Sequence, residues 1–157
     1  MRTRIRILMV SSLALLLAAC GGGGERTIPV AESAERNSAV FGDYTVYFHA
    51  VTTDEVPADV AKTVGIVRAR NRALLNVSVQ NTATTEALTA DVTVKTVNLT
   101  GQLKNMTMRQ VEQGSAIYYL GEVSVANRET LIFDITVTPT GETEPMQVRT
   151  KRIYYTD

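Results

Sequence analysis

The sequence predicts a mostly β protein: a single immunoglobulin-like antiparallel β-sandwich of about seven strands with one short helix. Two observations support this. Apolar and polar residues alternate with a period of two over most of the chain after residue 39, which is the pattern of strands with one buried face. Short groups of turn-forming residues separate the alternating runs at intervals typical of a sandwich. These groups are Thr100-Gly101, Gln113-Gly114-Ser115, Ala126-Asn127-Arg128 and Pro139-Thr140-Gly141-Glu142.

Five runs show the alternation clearly, and the run 131–138 is the strongest example. Its odd-numbered positions hold large apolar side chains, which we expect to face the core because alternate residues of a strand point to opposite sides. They are Leu131, Phe133, Ile135 and Val137. The predicted strands are 41–51, 72–80, 87–97, 116–125 and 131–138, with weaker strands at 102–112 and 146–155.

One segment, 57–64, favours a helix. Val56, Val60 and Val64 recur every four residues, Pro57 suits a first turn, and Gly65 suits a helix end. The valines would form a narrow apolar stripe. We therefore expect this helix to cover part of one outer sheet face and to leave the rest of that face exposed.

The first 19 residues have the parts of a bacterial export signal. Arg2, Arg4 and Arg6 supply all the charge of a basic start, and the apolar run 7–17 follows. That run is shorter than the roughly 20 residues that cross a bilayer, so it is predicted to be the core of a signal peptide. The next residues, Leu-Ala-Ala-Cys at 17–20, resemble the lipobox of bacterial lipoproteins.

Cys20 is the only cysteine of the chain. The lipobox resemblance predicts that it is acylated and anchors the protein in a membrane, since stable anchoring takes at least two acyl chains. Gly21 in place of an inner-membrane retention Asp indicates the outer membrane, facing the periplasm. The alternative is an ordinary signal-peptide cleavage that leaves Cys20 as a free thiol.

These observations divide the chain into a signal peptide (1–19), a lipidated cysteine with a glycine-rich flexible tether (20–38) and a β-sandwich domain (39–157). The chain has 16 basic and 16 acidic residues, and loss of the three signal-peptide arginines leaves 13 against 16. A mildly acidic exported protein is not expected to bind nucleic acid.

Four stretches of the chain show a family resemblance. They are FGDYTVYFHAVTTDEVPADVA from Phe41, VGIVRARNRALLNVSV from Val64, SAIYYLGEVSV from Ser115 and ETLIFDITV from Glu129. Together they resemble the bacterial envelope lipoprotein family catalogued as domain of unknown function 4426, over nearly all of residues 40–155. The resemblance implies a small secreted or lipid-anchored β-rich domain. It implies no established activity and offers no catalytic residues.

The residues that usually perform catalysis or bind metals are scarce. His49 is the only histidine, so a zinc set of His and Cys ligands cannot form within one chain. A serine hydrolase would need His49 beside Ser78 or Ser124, and no Gly-x-Ser-x-Gly motif surrounds either serine. Four early acids lie at a predicted turn and helix start, where helix capping explains them. They are Asp43, Asp54, Glu55 and Asp59. We predict no catalytic residue, metal or cofactor.

Two features remain as candidate binding signals. Arg68, Arg70 and Arg72, here called the arginine trio, would point the same way in an extended chain and could bind an anion. Pairing with nearby acids is the alternative, and we favour it. The second feature is a set of large apolar residues out of phase with the core pattern, which we predict to form an interaction patch. The set is Tyr47, Tyr118, Leu120, Ile132 and Tyr155.

Two classes of function are open. The first is a non-enzymatic binding or accessory module of the bacterial envelope, which contacts an unidentified envelope protein or ligand. The second is a small periplasmic hydrolase with an unrecognised site. A cleft that groups His49 with a serine and a carboxylate would favour the enzyme, whereas an uncovered apolar surface would favour the module.

Overall fold

The computed structural model describes residues 37–157, which form nine strands, one short α-helix and one 3-10 helix. The predicted signal peptide, Cys20 and the tether up to residue 36 lie outside the described residues. The strands are β1 (Ser38–Phe41), β2 (Tyr44–Thr52), β3 (Arg72–Asn81), β4 (Ala90–Asn98), β5 (Leu103–Lys104), β6 (Arg109–Gln113), β7 (Ala116–Ser124), β8 (Glu129–Pro139) and β9 (Met146–Tyr154). The 3-10 helix is Thr53–Glu55, and the α-helix α1 is Ala58–Thr63. Within residues 37–157 no helix has the length and apolar character needed to cross a membrane.

The strands form two antiparallel sheets. Sheet A has the order β1-β2-β3-β7-β6, and sheet B has the order β5-β4-β8-β9. If β2, β3, β4, β6, β7, β8 and β9 are lettered A to G in chain order, the spatial orders β2-β3-β7-β6 and β4-β8-β9 become ABED and CFG. These are the two sheets of an immunoglobulin constant domain. The predicted immunoglobulin-like sandwich is confirmed by this topology. β9 forms one edge of sheet B and pairs with β8 alone among the described strands.

The core lies between the two sheets and is built as the alternation predicts. Leu131, Phe133, Ile135 and Val137 of β8 are almost completely buried. They meet Val46 and Phe48 of β2 and Leu75 of β3 in one apolar cluster. Burying each such side chain stabilises the fold by about 1.5–3 kcal/mol as an upper estimate. The domain is therefore held by packing between sheets, without a disulfide in the described part.

Two predicted strands are divided in the structure. Gly42 has a φ of 57°, a left-handed conformation that glycine adopts without strain, and it turns the predicted strand 41–51 into the hairpin β1–β2. The predicted strand 102–112 becomes β5 in sheet B and β6 in sheet A. The chain thus crosses from one sheet to the other between these two strands.

The crossing between β5 and β6 packs onto a glycine of β7. Met106 and Met108 lie on the crossing, and both contact the main core cluster. A Cβ atom on Gly121 would lie 2.7 Å from Cγ of Met106 and 2.9 Å from its Sδ, with Sδ of Met108 closer still. Gly121 is therefore required by a close approach of side chains.

Helix α1 lies on the outer face of sheet A. Val56, Ala61 and Ile66 of the helical segment form a second apolar cluster with Leu74 of β3 and Leu120 of β7. The helix is one residue shorter at each end than predicted: Pro57 is its N-cap, and Gly65, with a φ of 69°, follows its end. The apolar stripe of the helix thus covers part of the face of sheet A opposite the core.

Thr53 fixes the position of the segment that carries α1. Its side chain is fully buried, and its Oγ1 donates to the Ala69 carbonyl at 3.0 Å and accepts from the Ala69 N–H at 2.8 Å. These two hydrogen bonds close the loop from residue 53 to residue 69. Because the loop ends are joined, the helix stays against sheet A although its own apolar stripe is short.

Two buried polar contacts connect elements of the sandwich. The carboxylate of Glu129 pairs with the Lys104 ammonium at 2.9 Å and accepts from Ala126 N–H and Asn98 Nδ2. Burial acts to raise the pKa of Glu129, but these partners outweigh burial and lower it. The hydroxyl of Tyr119 accepts from the Ala90 N–H at 2.7 Å, joining sheet A to sheet B.

Candidate binding cleft

A cleft of about 420 Å³ lies between α1 and the outer face of sheet A. One wall is the valine stripe of the helix, with Val60 and Val64 facing the opening. The floor is formed by Leu74 and Leu120, which come from neighbouring strands of the sheet. The cleft exists because a six-residue helix is too short to cover a face that five strands make.

Two polar residues of the cleft, His49 and Asn76, lie in one row with Leu120 across three strands. His49 of β2 is opposite Asn76 of β3, and Asn76 is opposite Leu120 of β7. The alternation of each strand places all three on the outer face of sheet A. Tyr118 and Gln113 add further polar atoms at the side nearest β6. The cleft thus has apolar walls and a few polar groups, as ligand sites commonly do.

Asn76 has an unusual environment for an amide. Its Oδ1 is buried and has no hydrogen-bond partner among the described residues. Leaving a buried acceptor unpaired costs about 1–3 kcal/mol relative to a paired one. Buried polar atoms without partners are uncommon in native proteins, and they concentrate where a ligand or a functional step requires them.

The charged group nearest the cleft is already neutralised. Glu55 borders the cleft, and its carboxylate is 3.1 Å from the Arg152 guanidinium. It also accepts from the Thr52 N–H at 3.0 Å. Asp59 lies in the first turn of α1, where a negative charge complements the helix dipole. The one carboxylate in the lining is therefore paired, and the lining has no lysine or arginine.

The structure places His49 in this cleft without the partners of a hydrolase. No serine lines the cleft. Within residues 37–157, no hydrogen bond joins His49 to Ser78, Ser124 or any carboxylate. The same part of the chain contains no group of three His, Cys, Asp or Glu residues placed to hold a metal ion.

The three side chains of the arginine trio do not project together from one extended strand. β3 begins only at Arg72, and a turn at residues 70–71 precedes it. Each member has its own contact. Arg68 donates to the Asp54 carbonyl at 2.6 Å, Arg70 to the Asp157 carbonyl at 2.9 Å, and Arg72 to the Glu122 carboxylate at 3.3 Å.

The five residues of the predicted patch are divided between the two sheets. Tyr47, Tyr118 and Leu120 are on the outer face of sheet A, where Leu120 is buried under the helix, Tyr118 is half-buried and Tyr47 is 42% exposed. Ile132 is on sheet B, and Tyr155 follows β9 with 66% exposure. The alternation identified residues that face away from the core, but it could not identify the sheet to which each strand belongs.

A second depression, of about 470 Å³, lies on the outer face of sheet B. Two of its three charged side chains bind one another: the guanidinium of Arg149 pairs with both carboxylate oxygens of Asp134. This contact raises the pKa of Arg149. The surrounding positions, Thr93, Thr136 and Gln147, are polar, so this surface is typical of a solvated sheet face.

Comparison with known proteins identifies the family. The family model described as "Domain of unknown function (DUF4426)" matches residues 38–157. The chain belongs to the DUF4426 family. A DUF4426 family protein from Pseudomonas aeruginosa PAO1, known from a crystal structure, is 28% identical and has a TM-score of 0.67, covering 76% of this chain and 94% of that one. No curated protein matches the chain. The DUF4426 resemblance noted in the sequence is confirmed, and the family description assigns no activity.

Sequence reasoning missed Asn76 as a site residue of this DUF4426 domain. The alternation of 72–80 assigned Asn76 to a solvated face, which is the usual place for an amide. Only the docking of α1 beside this position makes the environment apolar. A possible signal was Leu74, which shares the outer face with Asn76 and would be unexpected on a fully solvated face.

Proposed function

We propose that this protein is a lipid-anchored component of the bacterial envelope, held by acylated Cys20 in the outer membrane and facing the periplasm. Its sandwich acts as a non-enzymatic binding module. The binding surface is the cleft together with the adjacent exposed part of sheet A around Tyr47. No catalytic step is assigned to it.

The observation that supports this proposal is the incomplete cover of sheet A. α1 buries Leu74 and Leu120 but leaves a cleft with an unpaired amide, and Tyr47 next to it is 42% exposed. Exposed aromatic residues beside an apolar cleft are typical of interaction surfaces. A hydrolase using His49 would need a nucleophile beside it, and no serine lines the cleft.

Crosslinking in living cells tests the binding surface. A photoreactive amino acid at Tyr47 is expected to capture a defined envelope component, because Tyr47 lies on the same sheet face two residues from His49, which lines the cleft. The matched control places the same amino acid at Thr136, on the outer face of sheet B. Capture of the same products from both positions would contradict the assignment of the surface.

Fractionation tests the anchor. The Cys20→Ala variant is expected to leave the membrane fraction, since it has no thiol to acylate. Gly21→Asp is the companion variant, and it is expected to keep the membrane association but shift it to the inner membrane. A Cys20→Ala protein that still sediments with outer membranes after a salt wash would overturn the anchor proposal.

A further inference from the structure

The unpaired amide of Asn76 specifies part of the chemistry of an occupant. The described residues give Asn76 Oδ1 no donor, although Asn76 has an amide that can both donate and accept. A purely hydrocarbon occupant would leave this group unpaired. Because Oδ1 has almost no accessible surface, the side-chain amide of Asn76 must rotate toward the cleft before the N–H of an occupant can pair with this oxygen.

The charges around the cleft specify a neutral occupant. Glu55 is the charged residue at its edge, and Arg152 already binds it. A carboxylate in the cleft would lie near Glu55, and the lining holds no lysine or arginine to pair with it. An ammonium would find the Glu55 carboxylate occupied, and the apolar walls would not compensate for its lost hydration.

The size of the cleft limits the occupant further. A volume of about 420 Å³ corresponds to about 14 groups the size of a water molecule. That is close to one leucine-sized residue with the peptide groups on either side of it. The side chain would contact Val60, Leu74 and Leu120, while a flanking amide would reach Asn76.

We infer that the cleft binds one neutral apolar residue of an extended peptide segment, with a peptide amide of that segment hydrogen-bonded to Asn76. This inference rests on the proposed function and gives its binding surface a ligand class. Tyr47 lies two residues from His49 along β2, about 7 Å away, so it contacts the next residue of the segment.

Titration of the full chain in lipid nanodiscs tests the inference, with leucine and valine methyl groups as NMR probes. The first ligand is N-acetyl-leucine-methylamide, which has 13 non-hydrogen atoms. At about 0.3 kcal/mol per atom, its Kd is expected near 1 mM. The methyl signals of Val60, Leu74 and Leu120 should shift, and those of Leu131 and Val137 in the core should not. The blocked tripeptide acetyl-Ala-Leu-Ala-methylamide should bind several-fold more tightly.

Three variants test the contacts of the ligand one at a time. Asn76→Leu is expected to weaken binding of both ligands about two- to tenfold, the range for one lost hydrogen bond, while raising the melting temperature. Tyr47→Ser should weaken only the tripeptide. The control is Tyr154→Phe, which removes another buried unpaired polar atom from a residue that does not line the cleft. It should raise the melting temperature and leave both Kd values unchanged.

The results that overturn the inference are specific. If neither ligand shifts the methyl NMR signals of Val60, Leu74 and Leu120 at a concentration 20 times the expected Kd, the cleft is not a peptide site. If Asn76→Leu lowers the melting temperature or leaves both Kd values unchanged, the amide does not bind the ligand. If N-acetyl-leucine with a free carboxylate binds as tightly as the methylamide, the charge argument is wrong. Crosslinking from Tyr47 tests the proposed function separately, because it requires no peptide ligand.

Discussion

The Gly121→Ala substitution is the sharpest test of how the β5–β6 crossing packs onto sheet A. The added methyl group would lie 2.7 Å from Met106 Cγ, and Met108 Sδ would be closer. Favourable contacts between such atoms need about 3.5–4.0 Å, so both methionine side chains must move by about 1 Å. Overpacking of this kind costs about 1–3 kcal/mol, at the low end if the flexible methionines adapt.

Thermal unfolding followed by circular dichroism measures the effect of Gly121→Ala on stability. For a domain of this length, 1 kcal/mol corresponds to roughly 3–6 °C, so Gly121→Ala should lower the melting temperature by about 3–18 °C. The loss should be smaller in a Met108→Ala background, because that substitution removes the closest atom. A double-mutant cycle measures this coupling directly.

Gly101→Ala is the matched control. Gly101 has a φ of 82° and open space around its Cα, so its substitution introduces backbone strain without a steric clash. Its loss of stability should be the same in the Met108→Ala background as in the wild type. The packing argument is refuted if Gly121→Ala leaves the melting temperature unchanged, or if Met108→Ala does not reduce its effect.

Three further predictions concern buried and paired groups. The free energy of unfolding should fall as the pH drops below 4.5, the ordinary pKa of a glutamate. The pKa of Glu129 is lowered in the folded state, so its carboxylate stabilises the fold above pH 4.5. This contribution is lost when the carboxylate is protonated. Glu129→Gln should flatten this dependence in urea titrations. Tyr119→Phe should destabilise by about 1–3 kcal/mol because the Ala90 N–H loses its acceptor, whereas Tyr154→Phe should stabilise because it removes an unpaired hydroxyl. Changing the arginine trio to serine should lower the melting temperature only slightly, since exposed ion pairs contribute little.

Each of these predictions has a clear contrary result. A Glu129→Gln variant with the wild-type pH dependence would mean that other acids determine it. Equal and same-signed effects of Tyr119→Phe and Tyr154→Phe would mean that hydrogen bonding does not distinguish the two tyrosines. For the arginine trio, capture of an anionic envelope component that is lost in the serine variant would support anion binding, and a large fall in melting temperature would show a structural role.

The sequence predicted the sandwich because its signal is local. Each alternating run, such as 131–138, states which side chains face inward, and turn residues mark where a strand stops. The division of 102–112 could not be predicted in this way, because a crossing between sheets is set by the packing of Met106 and Met108 on Gly121, a residue of a distant strand. The apolar residues of 102–112 stand at 103, 106, 108 and 111, so the period of two is broken there, but this break does not show to which sheet each part belongs.

The sequence predicted less of the cleft than of the fold. The valine stripe at residues 56–64 predicted a helix on an outer sheet face, and α1 contacts Leu74 and Leu120 there. The sequence did not show where on the face the helix ends, so it could not show that Asn76 lies just beyond it. For the same reason, the sequence could not show that Ile132 and Tyr155 lie on a different surface from Tyr47, because strand order decides which outward-facing residues share a surface.

The exposed edge of sheet B bears on how copies of this protein behave at high concentration. Among residues 37–157, β9 pairs on one side only over its nine residues, a length that invites another strand to add to the sheet. If two copies paired antiparallel about Lys151, the Lys151 side chains of the two copies would lie opposite each other. Like charges directly opposite one another in a sheet are destabilising, and this repulsion acts only within about 8 Å at physiological ionic strength. The cationic pattern of β9 therefore opposes fibre-like stacking at the moment of contact, while leaving association through other surfaces unaffected.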